Sequence, residues 1–203
     1  MKQQILLING GTTFESKKEY LSFLKGIQIN LEKMKAKLKW KDVLAKRLGG
    51  GFEVFIPKMP NSTNASYKEW KIWFSKIIEL LDDNLILIGH SLGGIFLVKY
   101  LSENIISKKI KTTILIAAPF DSSDSEESLN DFVLGKSLKN FEKQASRIYL
   151  FQSRDDKVVN FDQVKKYKKK LPNAKLKGFR DRGHFNQDTF PEIIDLLKKE
   201  KNR

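Results

Sequence analysis

The chain has 203 residues, 40% of them hydrophobic, and 38 Lys and Arg against 24 Asp and Glu give it a net charge of +14. That length can bury one substantial core, no Gly/Ser/Pro-rich linker divides it, and a single domain over 1–203 is expected. The absence of Cys excludes a disulfide framework, thiolate catalysis and a cysteine-based zinc centre; with no apolar run near ~18 residues, neither a membrane span nor a signal peptide is expected, and a cytoplasmic protein is the simplest reading.

In chain order, Gln4 to Ile8 reads as a buried strand running into the loop Asn9-Gly10-Gly11-Thr12-Thr13. Ser16-x-x-Glu19 has the form of a capping box opening a helix over Glu19 to Lys25. A second helical pattern runs through Leu31, Met34, Leu38, Val43, Leu44 and Leu48 and stops at Gly49-Gly50-Gly51. These pieces exceed what one crossover needs, so residues 14–36 are expected to form a partial lid. Phe52 to Ile56 is the next strand. Ser66-x-x-Glu69 is another capping box, followed by Tyr67, Trp70, Trp73, Phe74, Ile77, Ile78 and Leu81 at helical spacing, an aromatic stripe that reads as core. Leu85 to Ile88 is a strand, and the helix after Ser91 is expected to reach Ser107.

Thr112 to Ala117 and Arg147 to Phe151 supply two further strands. The acidic run 121–127 between them reads either as a loop over a site or as the carboxylate-rich start of a helix. A helix over Phe161 to Lys170, a strand over Ala174 to Phe179 and a final helix with Pro191 at its first position complete the chain. Strands and helices alternating at this spacing predict a doubly wound, mostly parallel six-stranded α/β sheet with helices on both faces, whose reactive loops lie beyond the carboxyl ends of the strands. The basic residues are nearly all Lys, spread over Lys33 to Lys46, Lys165 to Lys170 and Lys198 to Arg203. No aromatic-interleaved basic strand or groove-reading helix stands among them, so a solvated lysine surface is expected rather than a nucleic-acid site.

The chemistry centres on Gly89-His90-Ser91-Leu92-Gly93 between Leu85-Ile86-Leu87-Ile88 and Ile95-Phe96-Leu97-Val98. A G-x-S-x-G pattern between a strand and a helix is the nucleophile-elbow arrangement, in which a strained turn projects the serine hydroxyl above the sheet. Gly89 and Gly93 are expected there for close approach and unusual dihedrals. A serine needs a base, and the chain has only His90 and His184. His90 is poorly placed as the immediate neighbour of Ser91, whereas His184 follows the last strand and can reach over it. The imidazole needs a carboxylate; Asp156 is preferred to Asp155 because Val158-Val159 can anchor its loop. Asp155 is then a solvent neighbour or a brace. In such a layout one oxyanion donor is the N–H after the nucleophile, Leu92, and the other comes from the first loop, at Gly11. Phe14, Phe120 and Phe185 are the loop aromatics expected to line an acyl pocket.

Taken together, G-H-S-L-G-G at 89–94, S-R-D-D at 153–156, G-H-F at 183–185, M-P at 59–60 and the tryptophan helix after it resemble the α/β-hydrolases. More narrowly they resemble the small, nearly capless serine hydrolases of the retinoblastoma-binding type. The resemblance covers Phe52 to Leu197 and implies Ser91, Asp156 and His184 as the triad. The first loop departs from the wider superfamily, reading N-G-G-T-T where many relatives carry H-G. The expectation is a serine hydrolase needing neither metal nor cofactor, which cleaves a small ester, thioester or amide through an acyl-enzyme. The contrasting expectation is an idle hydrolase scaffold whose basic surface binds an anionic partner.

Overall fold

The computed structural model describes residues 2–35, 37–123 and 128–203. Its strands are β1 (Gln3–Ile8), β2 (Phe52–Phe55), β3 (Leu85–His90), β4 (Ile110–Ile116), β5 (Ile148–Ser153) and β6 (Lys175–Phe179), and they form a six-stranded sheet in the order β2-β1-β3-β4-β5-β6. Every neighbouring pair is parallel. The helices are α1 (Lys17–Gly26), α2 (Leu31–Met34), α3 (Leu44–Leu48), α4 (Tyr67–Glu79), α5 (Leu92–Glu103), α6 (Lys139–Gln144), α7 (Phe161–Lys170) and α8 (Pro191–Lys201).

A parallel sheet must be covered on both sides, and successive strand residues face opposite ways. Leu6, Ile8, Leu85, Leu87 and Leu150 pack with Trp70, Phe74, Phe96, Phe141 and Tyr167 of α4, α5, α6 and α7. Their neighbours Ile5, Leu7, Ile86, Ile88, Ile116 and Phe151 pack with Leu44 of α3 and Ile193 and Leu197 of α8. The doubly wound arrangement expected from the alternation of strands and helices is therefore present. None of the described helices is long and apolar enough to cross a membrane.

Three local expectations give way to tertiary structure. The pattern over 31–48 is not one helix: α2 and α3 are separated by a segment in which the Trp40 N–H donates to the Gln187 carbonyl at 3.1 Å. Burying the Trp40 indole, whose Nε1 donates to the Phe185 carbonyl at 2.9 Å, outweighs the helical periodicity of a lysine-rich segment. Leu31, Met34 and Leu38 are left exposed. At Ser66 the capping group comes from elsewhere, since Asp131 accepts the Tyr67 N–H and the Ser66 hydroxyl itself donates to Asp131. The α5 helix stops at Glu103, where the Asn104 side chain takes the Tyr100 carbonyl. By contrast, Ser16 does cap α1 by accepting the Glu19 N–H, although the Glu19 carboxylate reaches back to the N–H of Glu15.

Below the sheet, Glu200 of α8 has no exposed surface. It accepts from Thr112 Oγ1 at 2.7 Å, Arg147 Nε at 2.5 Å, Tyr149 OH at 2.9 Å and Arg203 at 2.8 Å. Burial by itself would raise its pKa, but the hydrogen bonds from Thr112, Arg147 and Tyr149 outweigh burial and hold it below the ordinary glutamate value. A carboxylate depressed in the fold stabilises above its unfolded pKa, and that contribution disappears as pH falls through the folded value. Urea titrations of wild type and Glu200→Gln are therefore expected to show a stability gap at pH 7 that closes below about pH 4.

Candidate active site

The strand order places the topological switch between β1 and β3: the chain leaves β1 toward β2 on one side, and β3 toward β4 on the other. Loops at such a switch diverge and leave a crevice. Into it come the loop after β1, the turn after β3, the loop after β5 and the loop after β6.

Ser91 occupies the β3–α5 turn with φ 54° and ψ −127°, a conformation that a residue bearing a Cβ adopts only when its surroundings impose it. Its N–H donates to the Ile116 carbonyl at 2.9 Å, and its carbonyl accepts from Gly94 N at 2.8 Å. The strain thus falls on the serine and not on the flanking glycines, neither of which has a positive φ. Gly89 and Gly93 are needed for space alone. A Cβ on Gly89 would lie 2.6 Å from Gly94 Cα, and one on Gly93 would strike the Ile8 carbonyl and come within 2.6 Å of that of Asn9. Because backbone cannot yield cheaply, Gly93→Ala is expected to cost about 3 kcal/mol, a Tm loss of roughly 6–12 °C readable by calorimetry.

The loop after β1 lies against the serine: a Cβ on Gly10 would be 2.9 Å from Ser91 Cβ and 3.3 Å from its Oγ. One on Gly11 would sit 3.4 Å from Leu92 Cδ2. Thr12 N–H is used by the Ser62 carbonyl, whereas those of Gly10 and Gly11 have no backbone acceptor among the described residues. Leu92 opens α5, so its N–H has no carbonyl four residues back to bond.

His184 and Asp156 lie in contact. His184 Nδ1 lies 2.9 Å from Asp156 Oδ2 and 3.2 Å from Oδ1. The buried carboxylate is held by the Val158 and Val159 N–H groups on Oδ1, at 2.8 and 3.0 Å, and by Gln152 Nε2 on Oδ2. The β-branched pair therefore anchors the loop through its backbone. Asp155 is the brace: it accepts the Gly183 N–H at 2.9 Å and the Ser153 hydroxyl, while Ser153 Oγ accepts the Arg182 N–H. With Nδ1 committed to the carboxylate, Nε2 is the ring nitrogen left to exchange a proton.

Ser91 and His184 line one cavity of about 500 Å³ together with Gly10, Gly11, Lys39 and Lys41. Among the described residues Ser91 Oγ makes no hydrogen bond to the ring or to anything else. A separate hollow of about 430 Å³ between α3 and α8 shares none of these side chains.

Two further residues at the site differ from their sequence reading, Lys41 from that of solvated surface and His90 from that of a poorly placed base. His90 is buried at 4% exposure. Its Nδ1 lies 2.9 Å from Lys41 Nζ and its Nε2 2.8 Å from the His184 carbonyl, and the two imidazoles stand 4.9 Å apart. Burial, and then the charges of Lys41 and His184, push the His90 pKa well below the ordinary histidine value. A neutral ring accepts from Lys41 at Nδ1 and donates from Nε2, so His90 pins the His184 loop. The available signal was the Trp40-Lys41 pair inside an otherwise ordinary lysine-rich stretch.

The three phenylalanines do not line the cavity. Phe185 is fully buried among Phe179 and Phe190, with φ 52°, so although it adjoins His184 in sequence it is a core residue and not a pocket wall. Phe14 packs on Tyr20 and Phe23, and Phe120 on Tyr167. None of the described side chains in 14–36 lines it either; Lys39, Lys41 and Asp42 do so instead. The expected acidic loop falls partly on 124–127, outside the described residues, while Asp121 pairs with Lys166 at 2.7 Å.

Fold and crevice define an α/β-hydrolase. Residues 33–199 match the family model described as serine hydrolase, and the chain belongs to that family. It is 26% identical over 164 residues to YdeN of Bacillus subtilis (strain 168), covering 78% of this chain and 86% of that protein. The solved structure of the ydeN gene product superimposes with a TM-score of 0.75 at 21% identity, over the whole of both chains. The serine hydrolase RBBP9 of Rattus norvegicus is 27% identical over 150 residues, covering 73% of this chain and 77% of its own.

Proposed function

We propose that the protein is a carboxylesterase-like hydrolase that cleaves small esters, or thioesters and amides by the same chemistry, through an acyl-enzyme on Ser91, His184 and Asp156. Ser91 Oγ attacks the carbonyl carbon while His184 Nε2 takes its proton. The resulting tetrahedral oxyanion receives hydrogen bonds from the N–H groups of Leu92 and Gly11. Collapse breaks the bond to the leaving group, which takes the proton from His184. Water activated by the same nitrogen then attacks the acyl-enzyme, releasing the acid and restoring the serine. Asp156 fixes the tautomer and favours the transient imidazolium. The Ser91–His184 hydrogen bond forms once a substrate fills the cavity, since such contacts commonly close only in the complex.

The observation that carries this reading is the 2.9 Å bond from His184 Nδ1 to buried Asp156, on a ring that shares its cavity with a serine held at φ 54°. A fluorophosphonate probe tests it together with a panel of p-nitrophenyl esters of varied chain length. Stoichiometric labelling with ester turnover is expected. A folded wild type that neither labels nor turns over would favour the scaffold that binds an anionic partner through its lysines.

A further inference from the structure

The cavity beside Ser91 is unsuited to an aliphatic acyl chain. Val158 is the one aliphatic side chain in its described lining; the rest is supplied by glycines and by groups such as Asn9, Thr12, Ser62, Thr63 and Asn186. An apolar chain placed there would bury little hydrocarbon against hydrocarbon and would strip water from polar groups. What the wall does offer is cationic charge. Lys39 and Lys41 both line it, against the single carboxylate of Asp42.

Among the described residues neither ammonium has a carboxylate in ion-pair contact. Lys39 Nζ donates to Asn186 Oδ1 at 3.2 Å, a neutral acceptor. Asp42 Oδ2 is taken by the Lys39 backbone N–H at 2.8 Å. Lys41 Nζ donates one hydrogen bond, to His90 Nδ1, and among the described residues no carboxylate lies within ion-pair distance of it. His90 in turn is tied to the His184 carbonyl and has no negative charge to give. Among the described residues, two of the three Lys41 N–H groups therefore have no hydrogen-bond acceptor, in the cavity that Ser91 also lines. Lys41 is partly buried and Lys39 exposed, and a partly buried cation with no counter-ion at the wall of a reactive cavity is a candidate partner for a ligand's negative charge.

We infer that this wall is a receptor for an anionic group, with Lys41 as its principal donor and Lys39 in support, and that the substrate class is a small ester bearing a carboxylate. The inference rests on the reading of Ser91 as nucleophile. Its chemistry is a charge-assisted hydrogen bond to a carboxylate that sits on either the acyl or the alcohol portion. The groups facing Lys41 agree with it: burial, then the charge of Lys39, push the Lys41 pKa down to about 8, with Asp42 opposing, and His90 and His184 bring no negative charge. An arriving carboxylate would reverse that shift.

The test compares kcat/KM for matched esters after subtracting spontaneous hydrolysis. p-Nitrophenyl hemiglutarate against p-nitrophenyl valerate reports a carboxylate on the acyl side, and carboxymethyl butyrate against propyl butyrate one on the alcohol side. In one of the two pairs the anionic ester is expected to win by about tenfold or more, the effect of one charge-assisted hydrogen bond. The advantage should shrink between pH 7 and pH 9 as Lys41 loses its proton. Lys41→Gln, which keeps a donor for His90 but no charge, should bring the ratio to within about twofold, and Lys41→Arg should preserve most of it. The wild-type ratios and their pH dependence need no variant to fold.

Ratios near one in both pairs, with normal fluorophosphonate labelling, would overturn the anion receptor and leave the serine chemistry standing. So would a preference that survives Lys41→Gln. Absence of labelling would overturn the serine chemistry, and the receptor with it.

Discussion

Ser91→Ala is expected to lower kcat on any accepted ester by about 10⁴-fold or more and to abolish fluorophosphonate labelling, with Tm little changed. The fold is expected to tolerate the change because alanine keeps the Cβ of the turn, and among the described residues the lost hydroxyl makes no hydrogen bond that holds the structure together. His184→Ala should be about as damaging, and the double variant little worse than either, because groups that act in one proton transfer fail together. Single-turnover kinetics on a p-nitrophenyl ester would check all three. Independent, multiplicative losses would mean that the two side chains do not share a step.

Asp156→Asn should cost about 10³- to 10⁴-fold in kcat, chiefly in kcat rather than KM. The reason lies in how the carboxylate is used. Oδ1 accepts two backbone N–H groups, those of Val158 and Val159, while Oδ2 faces His184 Nδ1 and Gln152 Nε2. An asparagine must put its NH2 on one side or the other. Toward the backbone, donor meets donor and the loop loses its anchor. Toward His184, the amide donates to Nδ1 and forces the proton onto Nε2, where a base needs a lone pair. Asp155→Asn separates this account from a general loss of negative charge. Asp155 touches Gly183 and Ser153 but not the imidazole, so about a tenfold effect or less is expected. Equal losses at 155 and 156 would remove Asp156 from its special position.

The parts of the fold legible in the sequence are those where local and long-range signals agree. The all-apolar runs at 5–8 and 85–88 could only be strands buried on both faces, and the glycines about Ser91 mark a turn too tight for side chains. The β-branched pair after Asp156 marks the loop whose backbone holds that carboxylate. The failures share one cause, which is that partners distant in sequence decide a local outcome. Trp40 abandons a helical pattern to donate to Phe185, 145 residues away. Asp131 replaces the capping group foreseen at Ser66, 65 residues away. Phe185 adjoins His184 in sequence yet points into the core. Lysines 39 and 41 looked like solvated surface because nothing in their own stretch says that they line the crevice.

One consequence of α8 concerns the making of the protein. Ile193 and Leu197 close the face beneath Ile5 and Leu7, and Glu200 ties that helix to β4 and β5 through Thr112 and Tyr149. On the ribosome, β1 emerges early and must wait for β3 to become a sheet centre, and its underside stays wet until residues 191–203 have cleared the exit tunnel. A nascent chain stalled before that point carries an uncovered aliphatic surface on a half-built sheet, the kind of intermediate that aggregates unless it is shielded.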